Sequence, residues 1–371
     1  MFLKRVFGHL ISKALIRSQK FSKKKKEEII NEAASVYLDT EFDNVSSKYL
    51  QVPSSGNAKI TFVECRYLCF DLPQKVIIHI YGRQDCVEKH SRELLQKALY
   101  FKAHNITIVG LNLRNVMAST GIPRCQQDWI DDVKAVVDYY VQSGINLNNI
   151  LLHGHSMGGA IATLAAAQLY KQELIKNKKS KKSKKSKNCI RVLNDRSFST
   201  LPRVTVKLIF GGFGSGLFVG CVFAGLALLI LAPFIGVTAI AISYFILFYS
   251  LVGGFVCPEL MKKLCTGIAN VILGVTFGCM NATQAYNSLP EEAKHFFKVK
   301  DDKIIGASAL AKSLDSCDNL SEANKLVASE MHKSRSAHDL PLYELQVKRD
   351  QNKTGEDLYR AVVGRLLSLK S

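Results

Sequence analysis

NILLHGHSMGGAIATLAAA, residues 149–167, is the stretch on which the reading of this chain turns. Ile150-Leu151-Leu152-His153 is a short run of strand-forming, buried-type residues. Gly154-His155-Ser156-Met157-Gly158 follows without a linker, and an alanine-rich segment of high helix propensity begins at once. A strand that passes into a helix within five residues must turn sharply. Gly154 and Gly158 lack a Cβ, so the two elements can approach across the turn. Ser156 then stands at the apex with its hydroxyl projecting from the sheet edge, and the first N–H groups of the new helix point at the same spot, where negative charge is favoured.

Outward from this stretch, strand and helix patterns alternate. Upstream, Lys59 to Leu72 and Lys75 to Tyr81 read as strands, Cys86 to Phe101 as a helix, and Ile106 to Leu113 as a strand. Asp128 to Val141 reads as a helix with Trp129, Val133, Val136 and Val137 turned inward. Downstream, Cys189 to Leu193 and His295 to Lys300 read as strands, Ala307 to Leu314 as helical, and Gly355 to Leu367 as a closing amphipathic helix. Such alternation predicts a parallel sheet with right-handed crossovers and helices on both faces.

Two features interrupt that pattern. The chain carries Lys+Arg 50 against Asp+Glu 31, a net charge of +19. Much of the excess lies in Lys23 to Lys26 and in the Lys/Ser tract Lys176 to Lys187, both read as solvated and suited to anionic surfaces. Leu208 to Pro258, about 51 positions, contains no charged residue, whereas one membrane span needs about 20. Pro233 and Gly236 near its middle divide it into two spans, about Leu208 to Leu231 and Ile235 to Phe255. Basic residues at both ends (Arg203, Lys207, Lys262, Lys263) put those ends on the cytoplasmic side. A buried apolar lid is the competing reading. Leu264 to Met280 is shorter and carries Thr266, Asn270 and Thr276, which suits a core or interfacial helix. Met1 to Arg17 has apolar residues at helical spacing and only positive charges, and reads as an amphipathic helix, either interfacial or packed on its own domain. The expected division is therefore a basic extension (1–58), a first α/β part (59–206), a transmembrane hairpin (207–260) and a second α/β part (261–371).

The ten cysteines are scattered, with no C-x-x-C pair and no zinc-ligand spacing, as expected for thiols in a reducing compartment. Neither a metal nor a cofactor is expected. Specific nucleic-acid binding is not expected either, because no aromatic residue interleaves the lysine tract.

The chain resembles the α/β-hydrolases over about Lys59 to Leu367. The resemblance rests on Gly154-His155-Ser156-Met157-Gly158, on Asp302-Lys303-Ile304-Ile305, on Ala337-His338-Asp339-Leu340-Pro341, and on the order Ser, Asp, His. Asn112-Leu113-Arg114-Asn115-Val116 with Ser119-Thr120-Gly121 is similar to the N-x-R-G-x-G-x-S-x-G loop of a hydrolase subgroup that includes proposed effectors of intracellular bacteria, with Asn115 and Met117 in place of two glycines. The resemblance implies acyl transfer. Ser156 is the implied nucleophile, His338 the base and Asp302 the acid, with Met157 and Arg83 supplying oxyanion N–H groups. Asp301 competes with Asp302, His332 with His338, and Asp195 is an alternative acid or a helix cap. His153 and His155 read as packing or supporting residues. The implied protein is a membrane-associated serine hydrolase acting on a lipid or acyl ester from the cytosolic side, or on a host-cell membrane if secreted. The competing class is a hydrolase-like scaffold that tethers anionic membranes.

Overall fold

Hairpin geometry opens the fold in the computed structural model. The structure describes residues 23–68, 74–83, 85–179, 188–205, 277–299, 325–328, 338–340, 342–347 and 350–369, with single positions and short runs at 266, 267, 269–271, 273, 274, 302, 305, 309, 310 and 314. β1 (Val45–Pro53) turns through a short 3-10 segment at Ser55–Asn57 into β2 (Lys59–Tyr67) and pairs with it antiparallel along its whole length. A connection this short admits no other arrangement. No strand is expected over β1 from its pattern, because only Val45 and Val52 of its nine positions are fully buried.

The remaining strands are β3 (Lys75–Ile80), β4 (Ile106–Leu111), β5 (Ile150–His155), β6 (Arg191–Asp195), β7 (Lys294–Val299), β8 (Lys325–Ala328), β9 (Leu345–Val347) and β10 (Asp350–Thr354). Among the described residues they form one sheet in the order β1-β2-β4-β3-β5-β6-β7-β8-β9-β10. Pairing from β4 through β3 to β8 is parallel, while β1, β2, β9 and β10 run antiparallel to their neighbours. The expected parallel sheet is thus corrected to a mixed one. Its central strands are covered on both faces and read as continuous apolar runs. The outer strands are joined by tight turns and do not.

Helices α1 (Lys23–Tyr37), α2 (Ser91–Tyr100), α3 (Gln126–Gln142), α4 (Met157–Lys179), α5 (Ala282–Asn287) and α6 (Gly355–Leu366) complete the framework. Leu94, Leu95 and Ala98 of α2 and Tyr359, Val362 and Val363 of α6 share one core with Ile77, Leu151, Leu193 and Phe297 of the sheet. α3 packs with α4, and Trp129, Val133, Val136 and Val137 of α3 are buried as the spacing predicts. The lysine run at 23–26, read from sequence as solvated, is the first turn of α1, and α4 extends into the second lysine tract as far as Lys179. Ion pairs one helical turn apart, Lys25–Glu28 and Lys176–Glu173, accompany both extensions.

The chain divides into two compact units, one of residues 1–200 with 276–371 and the other Leu201–Val275. Of the second, helical positions at 201–205 and within 266–274 are described. The expected hairpin at 207–260 and the Met1 to Arg17 helix lie outside the described residues. Among the described residues no helix is long and apolar enough to cross a membrane.

Candidate active site

The sheet order reverses direction around β3, with β4 on one side and β5 on the other. The crevice beyond the carboxyl ends of those strands is where open α/β sheets bind ligands. Ser156 sits there, between the end of β5 and the first residue of α4. Its φ is +54°, the left-handed region that costs an L-residue about 1–2 kcal/mol. Its N–H donates to Asp195 O at 2.9 Å, which fastens the turn to the end of β6.

The flanking glycines are required by contact. A Cβ on Gly154 would overlap the Gly158 carbonyl, and one on Gly158 would overlap the carbonyl of Ile80. Both obstacles are backbone and cannot rotate away. Gly158→Ala is therefore expected to destabilise the protein by about 3 kcal/mol or more. Urea denaturation checks this, and a loss below about 1 kcal/mol would contradict the contact reading.

His338 is buried, at 2% exposure. Its Nε2 lies 2.9 Å from Ser156 Oγ, and its Nδ1 lies 2.9 Å from Asp302 Oδ2. Asp302 Oδ1 accepts the Ile305 N–H at 2.8 Å, which fixes the carboxylate plane. The three residues expected from sequence are thus joined by two hydrogen bonds in series. Asp301 and His332, the competing assignments, lie outside the described residues. Met157 opens α4 beside the serine. Gly82, which precedes Arg83, faces the serine so closely that a Cβ there would lie 3.2 Å from Ser156 Cβ. The two expected oxyanion donors therefore sit on the two backbone segments that flank Ser156.

Asp195 does not reach the imidazole of His338. Its carboxylate takes a two-point ion pair from its chain neighbour, Arg196 Nε to Oδ1 at 2.7 Å and Nη2 to Oδ2 at 2.8 Å. Burial works against that charge, but Arg196 outweighs it and holds the carboxyl well below its usual range. Arg196 Nη1 continues to the carbonyls of His338 at 3.2 Å and Leu340 at 2.6 Å. His155 Nε2 donates to the same His338 carbonyl at 3.1 Å. Burial, then the Arg196 charge, holds His155 down at about 3, so its ring is neutral. Sequence reasoning missed Arg196. The only available signal was an Asp-Arg pair closing a strand, which reads equally well as a helix cap.

Behind the serine, His79 Nδ1 and His153 Nδ1 meet at 3.0 Å, both buried and both lowered, chiefly by burial. A cavity of about 670 Å³ adjoins them, lined among others by Tyr81, Arg83, His90, Glu93, Ser156 and His338. His90 bonds Asp85 through Nε2 at 2.6 Å and Glu93 through Nδ1 at 3.0 Å, and Tyr81 stacks on its ring at 4.4 Å. Burial opposes the charge on His90, but the bonds to Asp85 and Glu93 outweigh it and push the group up to about 9 from 6.5. Because the folded value is the higher one, this stabilisation is complete below about pH 6.5 and is lost as pH rises through about 9. Denaturation at pH 6 and pH 9.5 should show that loss in the wild type and much less of it in His90→Gln. Equal pH dependence in the two proteins would refute the assignment.

The N-x-R loop serves as a brace. Arg114 Nη2 pairs with Asp132 Oδ1 at 2.6 Å and Nη1 with Asp128 Oδ1 at 2.8 Å. Asn112 accepts Val87 N–H at 2.9 Å and donates to Glu88. Ser119 Oγ donates to Asn112 O and accepts Thr61 N–H, both at 2.8 Å. Asn115 and Met117, which stand where the similar loop has glycine, have φ of +66° and +48°. Both side chains are thus held in the left-handed region, where glycine alone is free of strain.

Burial pushes the thiols of Cys65 and Cys86 up to about 12 and that of Cys189 up to about 11, so none of these is a ready nucleophile. Among the described residues no three His, Cys, Asp or Glu side chains are grouped to hold a metal ion.

Residues 76–177, from within β3 to within the last turn of α4, match the model of a family described as having the alpha/beta hydrolase fold. No curated protein matches the sequence. Similar solved structures include an alpha-beta hydrolase from Vibrio vulnificus, 14% identical over 86% of this chain and 84% of that one, with a TM-score of 0.49. An esterase from Pyrococcus furiosus is 11% identical over 77% of this chain and 82% of that one, with a TM-score of 0.41. The family match and the strand order bear out the α/β-hydrolase fold read from the sequence, with a mixed sheet.

Proposed function

We propose that this protein is a serine hydrolase that cleaves an ester through Ser156, His338 and Asp302. The observation that carries the reading is the unbroken hydrogen-bonded series Ser156–His338–Asp302, centred on a hydroxyl in a strained left-handed turn. In the proposed reaction Ser156 Oγ adds to the ester carbonyl while its proton passes to His338 Nε2. Asp302 holds the Nδ1–H tautomer and stabilises the imidazolium. The carbonyl oxygen, now negative, is received by the N–H groups of Met157 and Arg83. Collapse breaks the ester C–O bond, and the alcohol leaves with the proton from His338. Water, deprotonated by the same imidazole, then releases the acid and restores the serine.

The substrate class proposed is a lipid or acyl ester, and the proposed location is a membrane with this site on the cytosolic side. The support is the charge-free sequence from Leu208 to Pro258 with its basic flanks, together with the lysine tracts, which suit anionic headgroups. Labelling with a fluorophosphonate followed by peptide mass spectrometry tests the chemistry. The label is expected on Ser156, and a folded protein that takes none would sink the reading. Flotation with vesicles containing phosphatidylserine tests the location, and protein remaining in the soluble fraction would remove the membrane proposal while leaving the chemistry intact.

A further inference from the structure

His338 lies in a turn at 338–340, 182 residues from Ser156 and 36 from Asp302, yet its ring nitrogens lie 2.9 Å from an oxygen of each. An imidazole placed so closely needs a fixed backbone, because a misplacement of about 1 Å costs about 100-fold in rate. The backbone carbonyl of His338 takes two side-chain donors, Arg196 Nη1 at 3.2 Å and His155 Nε2 at 3.1 Å. Arg196 is itself fixed on three sides. One edge of its guanidinium pairs with Asp195, its N–H donates to Phe297 O on β7 at 3.4 Å, and Nη1 also bonds Leu340 O. A φ of +54° at Arg196 accompanies this ion pair between chain neighbours. The carbonyl of Asp195 holds the N–H of Ser156. The dipeptide Asp195-Arg196 therefore ties the serine turn and the His338 turn to one strand end.

We propose that Arg196 and His155 are positioning residues that clamp the His338 main chain and so set the distance between imidazole and serine. This rests on the serine-hydrolase reading above, since only that reaction makes the distance matter. Both bond the backbone carbonyl of His338, and the His155 ring also lies beside that imidazole, with 5.1 Å between ring centroids.

Two variants test the clamp. Arg196→Lys keeps a cation opposite the buried Asp195 but loses the planar fork that reaches two carbonyls. His155→Phe keeps a ring of similar size and removes the donor. In ester hydrolysis Arg196→Lys is expected to lower kcat by about 30- to 100-fold, and His155→Phe by about 10-fold, with KM within about threefold. A role in stability alone would instead reduce the folded fraction and leave kcat per folded molecule unchanged. A readout independent of turnover is the His338 Nδ1–H proton, which is held against Asp302 and resonates far downfield in proton NMR. It is expected in the wild type and broadened or lost in both variants while circular dichroism stays native. If the wild type takes no fluorophosphonate, the hydrolase reading falls, and the resonance still decides the clamp. Sharp signals of wild-type intensity in the variants overturn it, whatever shift the exchanged ring beside His338 produces. Should Arg196→Lys not fold, His155→Phe decides the question, and wild-type kcat with an intact resonance overturns the proposal.

Discussion

Ser156→Gly and Ser156→Ala are both expected to lose at least about 10⁴-fold in kcat, and the glycine variant should be the more stable of the two by about 1 kcal/mol. Each removes the proposed nucleophile and the same 2.9 Å hydrogen bond to His338, so those losses cancel in the comparison. What differs is the backbone. At φ +54° alanine keeps the strain of a left-handed L-residue, while glycine adopts that conformation freely. In an ordinary helix or strand the order is reversed, with glycine worse than alanine by about 0.5–1 kcal/mol. An inverted order at one position, measured by urea denaturation, would therefore report backbone strain held at Ser156 by its surroundings. Alanine as stable as glycine would show that the turn is not strained, and residual activity within tenfold of wild type would remove Ser156 from the chemistry.

Asp302→Asn should cost about 10⁴-fold in kcat with little change in fold. The reason lies in which atoms the amide would face. Asp302 Oδ1 already accepts the Ile305 N–H at 2.8 Å, so the oxygen of the substituted amide is drawn to that donor and its NH₂ is turned toward His338 Nδ1. An NH₂ there donates to Nδ1, which forces the ring proton onto Nε2, and an Nε2 that carries a proton cannot receive one from the serine. Asp301→Asn is the control and should retain activity within a few-fold. Kinetics on a chromogenic ester check both. Loss of activity in Asp301→Asn with Asp302→Asn intact would reverse the assignment of the acid.

The sequence was most legible where backbone geometry restricts residue choice. The elbow could be read because Gly154 and Gly158 face backbone carbonyls that leave no room for a Cβ, so only glycine fits. The central strands could be read because strands buried on both faces must be apolar throughout. The order of serine, acid and histidine came from a family resemblance, and the structure brings the three residues together. What could not be read depends on partners distant in sequence. β1 is an edge strand with little buried surface, β9 is only three residues long, and both are defined by what they pair with. Arg196 was invisible because its role depends on the carbonyls of a turn some 140 residues away. Composition marked the lysine runs as solvated, and Lys25 and Lys176 are exposed, but it did not show that α1 begins in the first run or that α4 continues to Lys179 of the second.

Ser156 and the imidazole that would activate it are 182 residues apart, and the compact unit Leu201–Val275 is encoded between them. A growing chain presents the serine long before its base has been translated. Until the segment bearing His338 emerges and closes that long loop, the hydroxyl lacks the imidazole partner that lies 2.9 Å from it in the fold. In the proposed mechanism the serine therefore gains its base only once that later segment has been made and docked.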